Sequence, residues 1–145
     1  MPFLRSEKGR WELLEHDADI GLRAEAQSRE ALFELMAEAL TAVVTSPALV
    51  EPQTALTIRC EAPDDAMLLV DWLNALIFEM ATRDMLFGAW RVHLDGQRLE
   101  ARVRGETVDR GRHRPAVEIK GATYTALEVG RASDGLWRAQ CIVDV

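Results

Sequence analysis

The chain has 145 residues, 48% of them apolar and 28% charged, which is one domain's worth of ordinary globular sequence. Its net charge of -7 argues against a protein that binds nucleic acid with its whole surface, and two cysteines are too few for a disulfide framework or a zinc site. No apolar run reaches the length of a membrane span and residues 1–10 lack the apolar stretch of a secretory signal, so a cytoplasmic protein with no membrane partner is expected.

Taken in order, Trp11 to Leu14 is apolar and residues 20–26 alternate, so the stretch Glu15 to Gly21 reads as a turn joining two strands. Glu15, Asp17 and Asp19 fall there two residues apart, with His16 among them. Carboxylates gathered so closely repel unless a hard cation or a basic side chain compensates. The alternative is a solvated turn, since Asp favours turns for local hydrogen bonding. Ser28 is an N-cap, and Leu32, Leu35, Met36, Ala39, Leu40 and Val43 follow at helical spacing until Ser46-Pro47 stops them.

Residues 54–62 alternate as a strand with one wet face. A second helix is expected over about 65–82, with Leu69, Trp72, Leu73, Leu76, Ile77 and Met80 in one stripe that Val70 and Phe78 widen. Asp71 and Asn74 interrupt that apolar neighbourhood, and Asp71 fits a rim position beside water. From Leu86 the pattern is antiparallel β: strand 86–94, an Asp95-Gly96 hairpin turn and a return strand 98–105. In that strand Arg98, Arg102 and Arg104 share a face with Glu100, and a solvated strand face is a better reading of them than a phosphate site. A polar loop from Gly105 to Pro115 carries His113, a weak candidate for partner contact. Strands at 117–120, 124–129 and 137–145 complete the expected fold. It is an α+β single domain with two main helices packed on one curved, largely antiparallel sheet.

The charge is uneven, with eight acids against two arginines in 12–40 and six arginines against three acids in 98–114, which suggests an acidic pole and a basic face. Asp144 stands next to last in an apolar strand, one residue from the Val145 carboxyl group. If this strand pairs near the first, both groups join Asp19 in an all-oxygen pocket suited to Ca2+ or Mg2+. A frayed, solvated end is the alternative. Lys120, followed by Gly121, would neutralise these carboxylates or bind phosphate as a point charge, with Thr123 and Tyr124 hydroxyls nearby; a lysine snorkelling from a strand edge explains it as well. The phosphate-loop, dinucleotide, serine-hydrolase and zinc-protease templates are all missing, and no catalytic residue is assigned.

Four stretches in register resemble the archease family: His16-Asp17-Ala18-Asp19-Ile20, Gly105-Glu106-Thr107-Val108-Asp109 with His113, Ile119-Lys120-Gly121-Ala122-Thr123-Tyr124, and Val143-Asp144-Val145. The resemblance covers residues 11–145 and leaves 1–10 as an N-terminal extension without expected order. Asp17 stands where many members have threonine, and Gly121 where alanine is frequent. The resemblance implies a non-catalytic, metal-binding protein cofactor of a GTP-dependent RNA-splicing ligase. Such a cofactor promotes guanylylation of the ligase's active-site histidine and repeated turnover in tRNA splicing and RNA repair, with indirect contact to RNA or GTP compatible with that role. It assigns a divalent cation, Ca2+ ahead of Mg2+, to Asp19, Asp144 and Val145, and partner or activation roles to His16, Asp17, Lys120 and Thr123. Two competing functions are a stand-alone metal-dependent phosphoesterase built on Asp17, Asp19 and Asp144, and a chaperone module holding RNA on Arg102, Arg104 and Arg112.

Overall fold

Period-two alternation over the first hairpin sends Trp11, Leu22, Ala24 and Ala26 to one side, where each is at most 3% exposed. The structure is a computed structural model that describes residues 4–6 and 8–145, with side chains from residue 8 onward. Strand β1 (Leu4–Ser6) pairs antiparallel with β2 (Gly9–His16), and β2 pairs with β3 (Asp19–Ala26) in unbroken register from Gly9↔Ala26 to His16↔Asp19. Of the N-terminal extension expected over 1–10, residues 1–3 and 7 lie outside the described residues.

Helix α1 (Arg29–Val44) begins where Ser28 Oγ accepts a hydrogen bond from the Ala31 N–H at 3.1 Å, the cap expected from its sequence. A 3-10 turn at Pro47–Leu49 leads into β4 (Thr54–Glu61). Helix α2 (Asp65–Arg83) is capped by Asp64, whose carboxylate accepts from the Met67 N–H at 2.8 Å. Trp72 is fully buried on α2, and its indole N–H donates to the Phe33 carbonyl of α1 at 3.0 Å, which fixes one helix against the other. Phe78 does not widen the buried stripe, being 62% exposed. It lies two helical turns from Asp71, on the wet face that Asp71 and Asn74 also occupy.

Strand β5 (Met85–Asp95) and strand β6 (Arg98–Thr107) form the expected hairpin through Gly96 at φ 60, with a bulge between Phe87 and Ala89. Glu106, expected in a loop, and Thr107 extend β6 beyond the expected end at Gly105. After the short helix α3 (Arg110–His113) the expected strand over 117–120 is an extended strap without a ladder, held at its ends by Ala116 N–H to Val44 O (2.9 Å) and Lys120 N–H to Asp144 O (2.8 Å). Its alternation records burial, with Ile119 6% exposed, and not strand pairing. The segment expected as strand 124–129 turns at Ala126 (φ 51), leaving β7 (Gly121–Ala122) before it and β8 (Glu128–Arg131) after it. Strand β9 (Trp137–Asp144) follows.

The fold is α+β with largely antiparallel strands, but these fall into two sheets and not one. The larger runs β1-β2-β3-β9-β7, with β8 also on β9, and the smaller runs β4-β6-β5. Helix α1 separates them, packing on β2 and β3 with one side and on β5 with another. That position explains why it buries ten residues, among them Thr41, whose hydroxyl donates to the Phe87 carbonyl at 2.9 Å.

A Cβ placed on Gly105 would lie 1.9 Å from the Leu86 carbonyl oxygen, a backbone atom that cannot rotate away. Gly105→Ala is therefore expected to destabilise the protein by about 3 kcal/mol, read from the midpoint of urea unfolding.

Candidate functional site

The β2–β3 turn is two residues long and needs a positive φ at Asp17 (54°), which Asp tolerates and a β-branched residue resists. This is the local reason for aspartate at that position, besides the charge it adds. From the turn, β3 runs beside β9 with Ile20 opposite Val143, so the next step of the same register sets Asp19 across from Asp144. Facing residues on paired strands share a side of the sheet. The chain's first hairpin and its last strand thus meet.

On the other side of β9, Gly121 pairs with Asp144 and the Lys120 N–H donates to the Asp144 carbonyl at 2.8 Å. The Thr123 N–H and hydroxyl both donate to the Ile142 carbonyl at 2.9 Å. Thr123 Oγ1 in turn accepts from the Thr125 N–H at 3.2 Å. Asp19, Lys120, Thr123, Asp144 and Val145 are therefore gathered at one end of the larger sheet, with His16 and Asp17 at the adjoining turn. A residue that sequence reasoning passed over completes the scaffold. Asn74 of α2 accepts the Ala122 N–H at 2.8 Å and so ties β7 to the helix. Its signal was a polar side chain inside an apolar helical stretch; Asp71, weighed beside it, is exposed as its rim placement implied.

Among the described residues, no ion pair joins Asp17, Asp19, Asp144 or Lys120 to an opposite charge. Two carboxylates without a basic partner form a hard, anionic oxygen pair, chemistry that fits Ca2+ or Mg2+ and not a soft metal. No group of three or more His, Cys, Asp or Glu side chains among the described residues gathers closely enough to hold a metal. Asp19 and Asp144 alone would not fill the shell of such an ion and would need further oxygen donors. Soft chemistry is disfavoured elsewhere too, since burial pushes both the Cys60 and Cys141 thiols up to about 11.

A second polar cluster is built inward. Glu106, 6% exposed, accepts hydrogen bonds from the Arg112 guanidinium and from the Glu51 N–H at 2.6 Å. Those bonds, first of all the one from Arg112, hold its carboxyl down at about 2 against an ordinary 4.5. His113, expected as a partner contact, is instead 2% exposed. Its Nδ1 accepts the Asp109 N–H at 2.8 Å, which leaves the Nε2–H to donate to Glu106 at 3.1 Å. Glu106 and His113 thus form a buried brace beneath a loop whose Asp109, Arg110, Arg112 and Arg114 are exposed. A cleft of about 460 Å³, lined by Val44, Ile77, Met80, Val117 and Ile119, separates the end of α2 from the strap leading to Lys120.

An α+β domain of two antiparallel sheets, the larger bringing the backbone of Asp19 and Asp144 to one end, is shared with proteins of several organisms. The Archease protein family model matches residues 11–145. Protein archease of Thermococcus gammatolerans is 34% identical over 140 residues, covering 94% of this chain and 99% of that one. Protein archease of Methanosarcina barkeri is 34% identical over 149 residues, covering 98% and 100%. In fold, the chain is similar to the solution structure of Methanobacterium thermoautotrophicum protein 1598 (TM-score 0.76, 28% identity, 93% of this chain and 98% of that one). It is also similar to the crystal structure of an archease, described as a possible chaperone, from Thermotoga maritima (TM-score 0.58, 20% identity, 91% and 94%), a likeness of fold alone. The chain belongs to the archease family.

The Glu106 brace has a pH signature. Because its folded-state value is depressed to about 2, the stability it contributes is complete above about 4.5 and is lost as pH falls from there toward 2. Glu106→Gln is expected to cost about 2 kcal/mol at neutral pH and to flatten the stability profile in that window. Denaturant midpoints measured from neutral pH down into the acid range check both.

Proposed function

We propose that this protein is the activator of a GTP-dependent RNA-splicing ligase, promoting guanylylation of the ligase's active-site histidine and catalysing no step itself. The observation that carries the reading is the pairing of β3 with β9, which sets Asp19 across from Asp144 while the Lys120 amide bonds to the Asp144 carbonyl. Asp19, Asp144 and the Val145 carboxyl group would hold a divalent cation, Ca2+ ahead of Mg2+, all three being hard oxygen donors. The ion, when bound, supplies positive charge against phosphate oxygens.

The chain's own residues do the rest. Thr123 and Asn74 fix β7, and Lys120, whose amide bonds to the Asp144 carbonyl, has its ammonium group unpaired among the described residues. Inserted at the ligase's nucleotide site, such an end would orient phosphates and the target histidine, and His16 and Asp17 on the adjoining turn would contact the partner. Positioning and electrostatics dominate phosphoryl and nucleotidyl transfer, so an accessory protein of this design needs no nucleophile of its own. A cytoplasmic location accords with this role, and no helix among the described residues is long and apolar enough to cross a membrane.

Guanylylation of the ligase measured with and without this protein tests the reading. Wild type is expected to accelerate the step, whereas Asp144→Asn and Lys120→Ala should each lose about tenfold or more of that acceleration while melting normally. Asp19→Asn should weaken Ca2+ binding by about tenfold in calorimetry. Full acceleration by both Asp144→Asn and Lys120→Ala would overturn the proposed site.

A further inference from the structure

The smaller sheet exposes one side to solvent, and its charges are arranged differently from those of the larger sheet. On the larger sheet Arg10, Arg23 and Arg138 are each bonded to a carboxylate: Arg10 and Arg138 to Glu25, and Arg23 to Glu12. On the smaller sheet the register aligns Thr57–Arg102–Arg91 in one row and Ala55–Arg104–Ala89 in the next. Arg59 and Arg98, farther along, pair with Glu100 and Glu61. Arg91, Arg102 and Arg104 are exposed and have no ion pair among the described residues. Arg91 and Arg102 face one another directly, an arrangement of like charges that costs stability in isolation. This occurs on a chain whose net charge is -7.

From this we infer that the exposed face of β4-β6-β5 binds the phosphodiester backbone of RNA. The inference takes RNA over DNA from the ligase reading above; the preference for a nucleic acid over a protein comes from the face itself. All its cations are arginines, whose planar fork matches phosphate oxygens. Neighbouring strands lie about 4.8 Å apart and same-face residues roughly 6.8 Å apart along a strand, so the three guanidinium groups form a compact triangle within reach of consecutive phosphates. Arg104 is flanked by two alanines, which leaves its guanidinium unobstructed. The large apolar side chains that are exposed among the described residues (Leu49, Met67, Phe78 and Tyr124) all lie elsewhere. A stable protein interface is anchored by such side chains, whereas backbone binding by counterion release needs only the charges. The face is separate from the Asp19–Asp144 end, being built entirely from the other sheet.

The test is fluorescence anisotropy of a labelled, unstructured oligouridylate titrated with the full-length protein over a range of salt. Wild type is expected to bind with a log–log salt slope of about -2, from roughly -0.7 per phosphate for three arginines. Arg91→Gln/Arg102→Gln/Arg104→Gln should weaken binding by about tenfold or more and flatten the slope. Its melting temperature should be unchanged or raised, because like charges are removed. Arg10→Gln/Arg23→Gln, which removes arginines already paired with Glu25 and Glu12, should bind as wild type. Guanylylation of the ligase without RNA should be unaffected by the triple variant, so failure here is distinguishable from failure of the ligase reading. The inference is overturned if wild type does not bind the oligonucleotide or if the triple variant binds as tightly as wild type. It is equally overturned if the triple variant keeps RNA binding and loses association with the ligase, which would make the face a protein contact.

Discussion

The pairing of β3 with β9 is the interaction on which the molecule depends. It joins residues more than a hundred positions apart in sequence, and every other feature of the larger sheet follows from it. Without β9, the hairpin of β2 and β3 would present an open edge of unpaired amide and carbonyl groups, and β7 and β8 would have nothing to bond to. The same pairing that completes the sheet also brings the backbone of Asp19 and Asp144 to one of its ends. The proposed site is thus part of the fold's closure, not an ornament added to it.

Two polar arrangements illustrate opposite uses of charge. Around Glu106 the acid is buried and satisfied by Arg112, the Glu51 amide and His113, which makes that loop rigid and stabilises it above the ordinary carboxylate range. At the Asp19–Asp144 end the two aspartates and Lys120, and on the other sheet Arg91, Arg102 and Arg104, have no ion-pair partner among the described residues. Unpaired like charges held on rigid strands cost stability and are retained where a ligand supplies the opposite sign. On the two readings proposed above, this acidic protein would take a cation at one end and an anion on one face.

Local chemistry was legible in the sequence where a residue acts on its immediate neighbours. Ser28 and Asp64 cap their helices, and Asp95-Gly96 makes its hairpin turn, because capping and turn formation involve only residues two or three apart. What could not be read is what depends on partners far along the chain. The alternation of residues 117–120 is the same whether a strand is paired or merely pressed against a core, and only the absence of a neighbouring ladder decides it. Phe78 reads as core by hydrophobicity and by proximity to the stripe, yet it falls on the Asp71 side of the helix. His113 looked exposed because arginines surround it, although the helical turn it ends folds it inward onto Glu106. The meeting of Asp19 with Asp144 lay open between a shared pocket and a frayed end, since nothing local links the two positions.

The strand order has a kinetic consequence. The smaller sheet is drawn from one contiguous stretch of chain, from β4 to β6, and can pair as soon as that stretch has emerged from the ribosome. The larger sheet is different: its middle member, β9, is synthesised after all the strands it must lie between. During translation the β2–β3 hairpin therefore waits with a bare flank, and a chain interrupted before residue 137 would be left with an adhesive margin. The larger sheet closes only with the insertion of that single strand.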